Sequence, residues 1–137
     1  MSTLRETVMH RMIFINLPVT DLITSTAFYV GLGFELNPDF SGDECSCIVI
    51  SDTIFVMLLT RDRFADFAAG PVGDATAATT VINCLSAGSS QEVDDLVARA
   101  LAGGGKPWLD KMVDGPMYGH SFADPDGHVW EVLHMAV

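Results

Sequence analysis

The same pattern occurs twice in the chain, in Asp52-Thr-Ile-Phe-Val-Met-Leu-Leu59 and, 74 residues later, in Asp126-Gly-His-Val-Trp-Glu-Val-Leu133. In each copy an aspartate precedes a run of β-branched, aromatic and aliphatic residues, which is typical of a strand that follows a tight turn. Few residues are identical, but apolar residues recur at matching positions. This recurring pattern indicates an internal repeat, so each half of the chain is expected to fold as a copy of one unit.

Working outward, the first half predicts one strand, one helix and three strands. A strand at 12–19 precedes an amphipathic helix over 22–32, which Thr20 or Asp21 caps and Gly33 ends. Further strands are predicted at 34–36, 45–51 and 53–59.

The second half repeats this order after a predicted short helix at 61–69 and the linker Gly70-Pro-Val-Gly73. A strand is predicted at 79–85. A helix follows, capped by Ser89 or Ser90 and ended by Gly103. The remaining strands are predicted at 106–109, 117–123 and 128–135.

The chain is therefore predicted to be a single α+β domain over residues 1–137. It would contain two βαβββ modules, at about 11–60 and about 77–135, joined by a linker at about 61–76. With a helix against one face of each module, the other faces are expected to form a curled mixed sheet around a cleft.

Composition excludes several classes of partner. The 137 residues are 49% hydrophobic and 18% charged, and the net charge is −11, so the chain has enough apolar surface to fold and repels polyanions. Nucleic acid and anionic membrane surfaces are not expected partners. The longest apolar run, Ile54 to Leu59, is far shorter than the roughly 20 residues of a membrane-spanning helix.

The N-terminal segment and the cysteines point to a cytoplasmic protein. Residues 1–7 contain no apolar stretch followed by a small-residue cleavage site, so they do not have the pattern of a signal peptide. The three cysteines, Cys45, Cys47 and Cys84, are an odd number in a chain with a large core, which argues against a disulfide framework. Core packing is favoured over metal or redox chemistry for these thiols.

Three segments together resemble the vicinal oxygen chelate superfamily: Leu17-Pro-Val-Thr-Asp-Leu22, Phe28-Tyr29 with Gly31-Leu-Gly-Phe34, and Asp124-Pro-Asp-Gly-His-Val-Trp-Glu131. The resemblance covers about residues 11–135 and implies the glyoxalase-like fold. That superfamily includes glyoxalase I, extradiol dioxygenases, fosfomycin-modifying enzymes and bleomycin-binding proteins, so it does not by itself fix a function.

In metal-dependent members, the resemblance implies His or Glu ligands on the first and last strands of each module. Glu131 occupies the last of these positions, but Met57 occupies its equivalent in the first module and Phe14 the opening strand. On the strand after the linker the candidates are Thr79 and Thr80, or Asn83 in a shifted register. One carboxylate does not hold a divalent ion against water, so no cofactor is predicted and a divalent metal is disfavoured.

The histidines offer no obvious replacement ligands. Alternation along the last strand places His128 and His134 on the face opposite Glu131, as rim or hydrogen-bonded residues. His120, with Tyr118 on the neighbouring strand, approaches Glu131 if their face is the concave one. Glu131 and His120 are therefore candidates for an acid–base pair.

Three hypotheses for the function remain open at this point. The first is a metal-free protein that binds a small neutral or cationic organic molecule. The second is a metal-dependent lyase or dioxygenase of glyoxalase type, and the third a metal-free isomerase or lyase that uses Glu131 and His120. A homodimer is expected, as in relatives. The predicted lining of the cleft is Phe14, Asn16, Met57, Leu59, Thr80, Tyr118 and Glu131.

Overall fold

The computed structural model of the protein describes residues 10–136. Residues 1–7, on which the predicted cytoplasmic location rests, lie outside this range. The strands are β1 (Ile13–Val19), β2 (Glu35–Asn37), β3 (Cys45–Val49), β4 (Ile54–Thr60), β5 (Ile82–Ser86), β6 (Lys106–Pro107), β7 (Met112–Asp114), β8 (Met117–Ala123) and β9 (Val129–Met135). The helices are α1 (Leu22–Gly31), α2 (Arg61–Ala65) and α3 (Ser90–Ala102), with a 3-10 turn at Pro38–Phe40.

The strands form two sheets of the same topology. The first has the order β1-β4-β3-β2 and the second the order β5-β9-β8-β6, with β7 also paired to β8. In both, the opening strand runs parallel to the last strand of its module. The predicted α+β fold with two related modules is confirmed, with one added strand, β7, and with two separate sheets in the described range.

Local signals in the sequence define the two long helices. Asp21 caps α1, accepting a hydrogen bond from the Thr24 backbone N–H at 3.2 Å, and Gly33 follows α1 with a positive φ of 104°. Ser89 caps α3 in the same way, accepting from the Glu92 N–H at 3.1 Å. These caps satisfy backbone groups that the helix itself leaves unpaired.

One hydrophobic core lies between the helices and the helix-facing sides of both sheets. Leu17 of β1, Val56 and Leu58 of β4, and Trp130 and Val132 of β9 all belong to it. Because side chains alternate along a strand, the intervening residues point to the other side of each sheet, which we call its open face. The first open face includes Phe14, Asn16, Cys45, Cys47, Met57 and Leu59, and the second includes Ile82, Cys84, Ser121, Glu131, Leu133 and Met135.

A buried polar network joins the two modules. The Tyr29 hydroxyl of α1 donates to Asp124 Oδ2 at 2.6 Å and accepts from Trp130 Nε1 at 2.9 Å. Asp124 Oδ1 also accepts from the backbone N–H groups of Asp126 and His128. Burial raises the pKa of both Tyr29 and Asp124, whose side chains are shielded from solvent.

The segment between the modules, residues 61–76, is held in place by contacts near both of its ends. The Arg61 guanidinium donates to the carbonyl oxygens of Val72 and Gly73 at 3.1 and 3.0 Å. Further along, the backbone passes so close to Gly127 that a Cβ there would lie 2.8 Å from Thr76 N. Gly127 has a φ of 88°, so both its conformation and this close approach require glycine.

The strand predicted at 79–85 begins later than expected. β5 starts at Ile82, which pairs with Val129, the first residue of β9. Residues 79–81 have no partner strand in the described part of the chain, so Thr80 lies before the sheet and not within it.

Replacing Ser25 with alanine is expected to raise the free energy of unfolding by about 1 kcal/mol, because the Ser25 hydroxyl is buried without a hydrogen-bond partner among the described residues. Ser46 provides a matched control, since its buried hydroxyl is hydrogen-bonded to Thr26 Oγ1 at 2.7 Å. Ser46→Ala is expected to lose about 1 kcal/mol. Urea denaturation, monitored by circular dichroism, measures both changes. A decrease in the free energy of unfolding of Ser25→Ala would contradict the prediction.

Candidate functional site

Glu131 lies in the middle of the open face of the second sheet, partly exposed. It stands between Cys84 of β5 and Ser121 of β8, each directly opposite it in the pairing register. The Cys84 thiol donates to Glu131 Oε1 at 3.7 Å. Partial burial, followed by the charge of Glu131, raises the pKa of this thiol, so Cys84 acts here as a neutral hydrogen-bond donor.

The side chains around this carboxylate are mostly apolar. Ile82 and Leu133 lie on the same open face, and Met135 continues it toward the end of β9. Ile82 and Met135 are 55% and 47% exposed. The site therefore offers a single carboxylate on an apolar surface, an arrangement suited to an organic molecule with a donor or a positive charge.

The predicted pair of Glu131 and His120 is wrong. His120 is directly opposite Val132, which belongs to the core, whereas Glu131 is opposite Ser121. His120 thus lies on the helix-facing side of β8, and the acid–base couple does not form.

Tyr118 is likewise absent from the predicted cleft. Its hydroxyl donates to Asp94 Oδ1 of α3 at 2.7 Å, which holds the ring against the helix. Lys111 approaches the same carboxylate at 3.2 Å. The Tyr118 hydrogen bond, followed by contributions from Lys111, lowers the pKa of Asp94.

Two other histidines make structural hydrogen bonds. His128 Nε2 donates to the Pro18 carbonyl oxygen at 2.7 Å, across the boundary between the modules. His134 Nδ1 lies 3.0 Å from the Ala87 carbonyl oxygen on the helix-facing side of β9. Neither ring points toward Glu131, in agreement with the alternation expected from the sequence.

Four predicted cleft residues lie together on the open face of the first sheet. Phe14 stacks on Phe55 with ring centroids 4.9 Å apart, and Asn16 is directly opposite Met57. A cavity of about 520 Å³ adjoins this face, lined by Asn16, Leu59, Phe64, Phe67 and Ala68.

Thr80 lines a different cavity, at the boundary between the modules. This groove of about 340 Å³ is also bordered by Pro18, Phe64, Asn83 and His128. Glu131 does not line this groove, so Thr80 and Glu131 do not share it within one chain.

Two residues of this site, Cys84 and Ile82, were not predicted from the sequence. The Cys84 thiol is hydrogen-bonded to Glu131, and Ile82 occupies the position on β5 that matches Phe14 on β1. This match follows from the strand pairing. Phe14 is opposite Phe55, and Ile82 is opposite Val129. Phe55 and Val129 are equivalent positions of the internal repeat, 74 residues apart. A later start for the strand after the linker would have identified both residues.

Comparison with known proteins agrees with this architecture. Residues 11–51 match the family model described as bleomycin resistance protein-like N-terminal. A hypothetical protein from S. aureus is similar in structure, with 29% identity, a TM-score of 0.77 and coverage of 96% of this chain and 98% of that one. The match over residues 11–51 agrees with the resemblance to the vicinal oxygen chelate superfamily that the sequence motifs carry.

Further solved structures share this fold. A glyoxalase-related enzyme from Fulvimarina pelagi has 22% identity and a TM-score of 0.77, covering 92% of this chain and 88% of its own. A fosfomycin resistance protein from Listeria monocytogenes has 21% identity and a TM-score of 0.67, covering 93% and 94%. No curated protein matches the chain by sequence. Among residues 10–136, no helix has the length and apolar character that a membrane span requires.

The metal that the superfamily implies does not fit the residues present. The four corresponding positions hold Phe14, Met57, Ile82 and Glu131, which supply one carboxylate, one thioether and two hydrocarbon side chains. Thioethers are poor ligands for hard or borderline divalent ions. Within residues 10–136, no three side chains of the His, Cys, Asp or Glu type converge as a ligand set.

Proposed function

We propose that this protein binds a small organic molecule, neutral or cationic, against the open face of the second sheet, with Glu131 as its polar contact. The position of Glu131 carries the proposal: a partly exposed carboxylate stands in the centre of a largely apolar sheet face. A cationic or hydrogen-bond-donating group of the ligand would stabilise such a carboxylate. The apolar part of the ligand would cover Ile82 and Leu133.

Charge supports selection of cations over anions. The net charge of −11 gives the whole surface a negative potential, which raises the local concentration of cations and opposes anionic molecules. The family model that matches residues 11–51 is described as bleomycin resistance protein-like, which is consistent with a binding role.

A second copy of the chain is proposed to complete the site. The two sheets turn their helix-facing sides toward one common core, so the open faces do not cover each other within one chain. Phe14 stays 50% exposed on the first open face, and Ile82 stays 55% exposed on the second. In a homodimer, the first open face of one copy would cover the second open face of its partner and enclose Glu131.

Binding of matched probes tests the role of Glu131. Benzyltrimethylammonium, benzyl alcohol and phenylacetate share an aromatic body and differ in charge, and titration calorimetry or NMR shift mapping compares their affinities. We expect the cation to bind at least about tenfold more tightly than the anion, a difference of about 1.4 kcal/mol. Glu131→Gln is expected to abolish that preference, because it removes the charge and keeps the shape.

Glu35→Gln is the control for this experiment, since Glu35 is an exposed glutamate on β2 of the other sheet. It is expected to leave the preference for the cation unchanged. The proposal is contradicted if Glu131→Gln retains the wild-type preference, or if shifts caused by the cation map away from β5, β8 and β9.

A further inference from the structure

Three sulfur-bearing residues are neighbours on the open face of the first sheet. Cys45 and Cys47 are two residues apart on β3, so they point to the same side. Met57 of β4 is directly opposite Cys47, and Cys45 is opposite Leu59, which makes Cys45 and Met57 diagonal neighbours. We call Cys45, Cys47 and Met57 the sulfur cluster.

The spacing suits an ion and not a disulfide. Residues two apart on a strand are separated by about 6.6 Å, well above the roughly 4 Å between the Cβ atoms of a disulfide, and both cysteines are free. Two thiolates leaning toward each other from that distance reach an ion at bond lengths of about 2.3 Å. The Met57 side chain, about 5 Å from Cys47 across the strands, is long and flexible enough to supply a third donor.

The edge of the sheet covers the cluster on one side. The Cys45 thiol donates to the carbonyl oxygen of Phe40 at 3.7 Å, and the Cys47 backbone N–H donates to Ser41 Oγ at 2.9 Å. Cys47 is only 3% exposed, while Cys45 is partly open to solvent. An ion would therefore enter past Cys45 into a site shielded from water.

We propose that the sulfur cluster binds one monovalent copper ion. Thiolate and thioether donors favour Cu(I), and the hard oxygen donors that favour magnesium, calcium or manganese play no part in this donor set. Both thiols ligate as thiolates, so binding of the ion would release protons. All three donors of the cluster lie on the first sheet, and Glu131 is not among them.

Anaerobic titration of the reduced, full-length protein with Cu(I), in competition with a chromophoric Cu(I) chelator, tests the site. We expect one Cu(I) per chain. Cys45→Ser and Cys47→Ser are each expected to weaken binding at least about a hundredfold, because each removes one of the two thiolates. Met57→Leu, which keeps the shape of the side chain, is expected to weaken it about tenfold.

Cys84→Ser is the control, because Cys84 is the remaining cysteine of the chain and is not one of the three proposed donors. It is expected to leave the affinity unchanged, and copper X-ray absorption is expected to show sulfur ligands only. The proposal is overturned if the wild-type protein does not compete with the chelator, if Cys84→Ser weakens binding as much as Cys45→Ser, or if Cys45→Ser/Cys47→Ser still binds one ion. Circular dichroism of each copper-free variant verifies folding, and the partly exposed Cys45 position keeps the test valid if Cys47→Ser unfolds.

Discussion

Asp124→Ala is expected to lower the free energy of unfolding by about 3 kcal/mol, which is a large part of the stability of a chain of this size. The Asp124 carboxylate accepts hydrogen bonds from the Tyr29 hydroxyl and from the backbone N–H groups of Asp126 and His128. Each buried donor left without an acceptor costs about 1–3 kcal/mol. Relief from burying the carboxylate itself offsets part of that loss.

Two further variants make this prediction specific. Tyr29→Phe removes the hydroxyl and leaves Trp130 Nε1 without an acceptor, so we expect a smaller loss of about 1–2 kcal/mol. Asp110→Ala, in an exposed loop, is expected to stay within about 0.5 kcal/mol of the wild-type protein. Urea unfolding followed by Trp fluorescence gives the three values. A loss below 1 kcal/mol in Asp124→Ala would show that the network does not hold the modules together.

Ile82→Asp is expected to dissociate the proposed homodimer, raising its dissociation constant at least about a hundredfold. The Ile82 side chain is 55% exposed on the second open face, which the partner would cover. A carboxylate there would lose its hydration without gaining a counter-charge, a cost of about 3 kcal/mol or more. Sedimentation velocity over a range of concentrations measures the change from a dimer to a monomer of 14.7 kDa.

Ile23→Asp is the control for the dimer. Ile23 is 84% exposed on α1, away from both open faces, and carries the same change in size and charge. It is expected to leave the dissociation constant unchanged. A wild-type protein that stays monomeric at all concentrations, or equal dissociation by both variants, would exclude the proposed arrangement.

Sequence periodicity predicted most of the elements because burial imposes it. Alternation along β9 correctly separated Glu131 from Trp130 and His134, since Trp130 must enter the core. The cap candidates also placed the starts of both long helices, and of the two residues predicted for each cap the structure uses Asp21 and Ser89. In these cases a local signal and the tertiary packing favour the same structure.

The remaining errors arose where pairing partners decide the outcome. Residues 79–81 have the β-branched composition of a strand, but β9 begins at Val129, opposite Ile82, and leaves them unpaired. On β8 both faces carry residues compatible with burial, so the sequence did not show that His120 lies on the helix-facing side. Packing of Phe122 into the core, together with the register against β9, fixes that choice.

The contacts that hold the segment between the modules limit how two chains can assemble. Thr76 lies against Gly127, and Arg61 holds Val72 and Gly73, so the segment cannot straighten without breaking these contacts. Three-dimensional domain swapping, in which two chains exchange their C-terminal halves, would require this opening. In the proposed homodimer, two copies would therefore associate as fully folded units, at a rate set by diffusional encounter and docking and without a slow unfolding step.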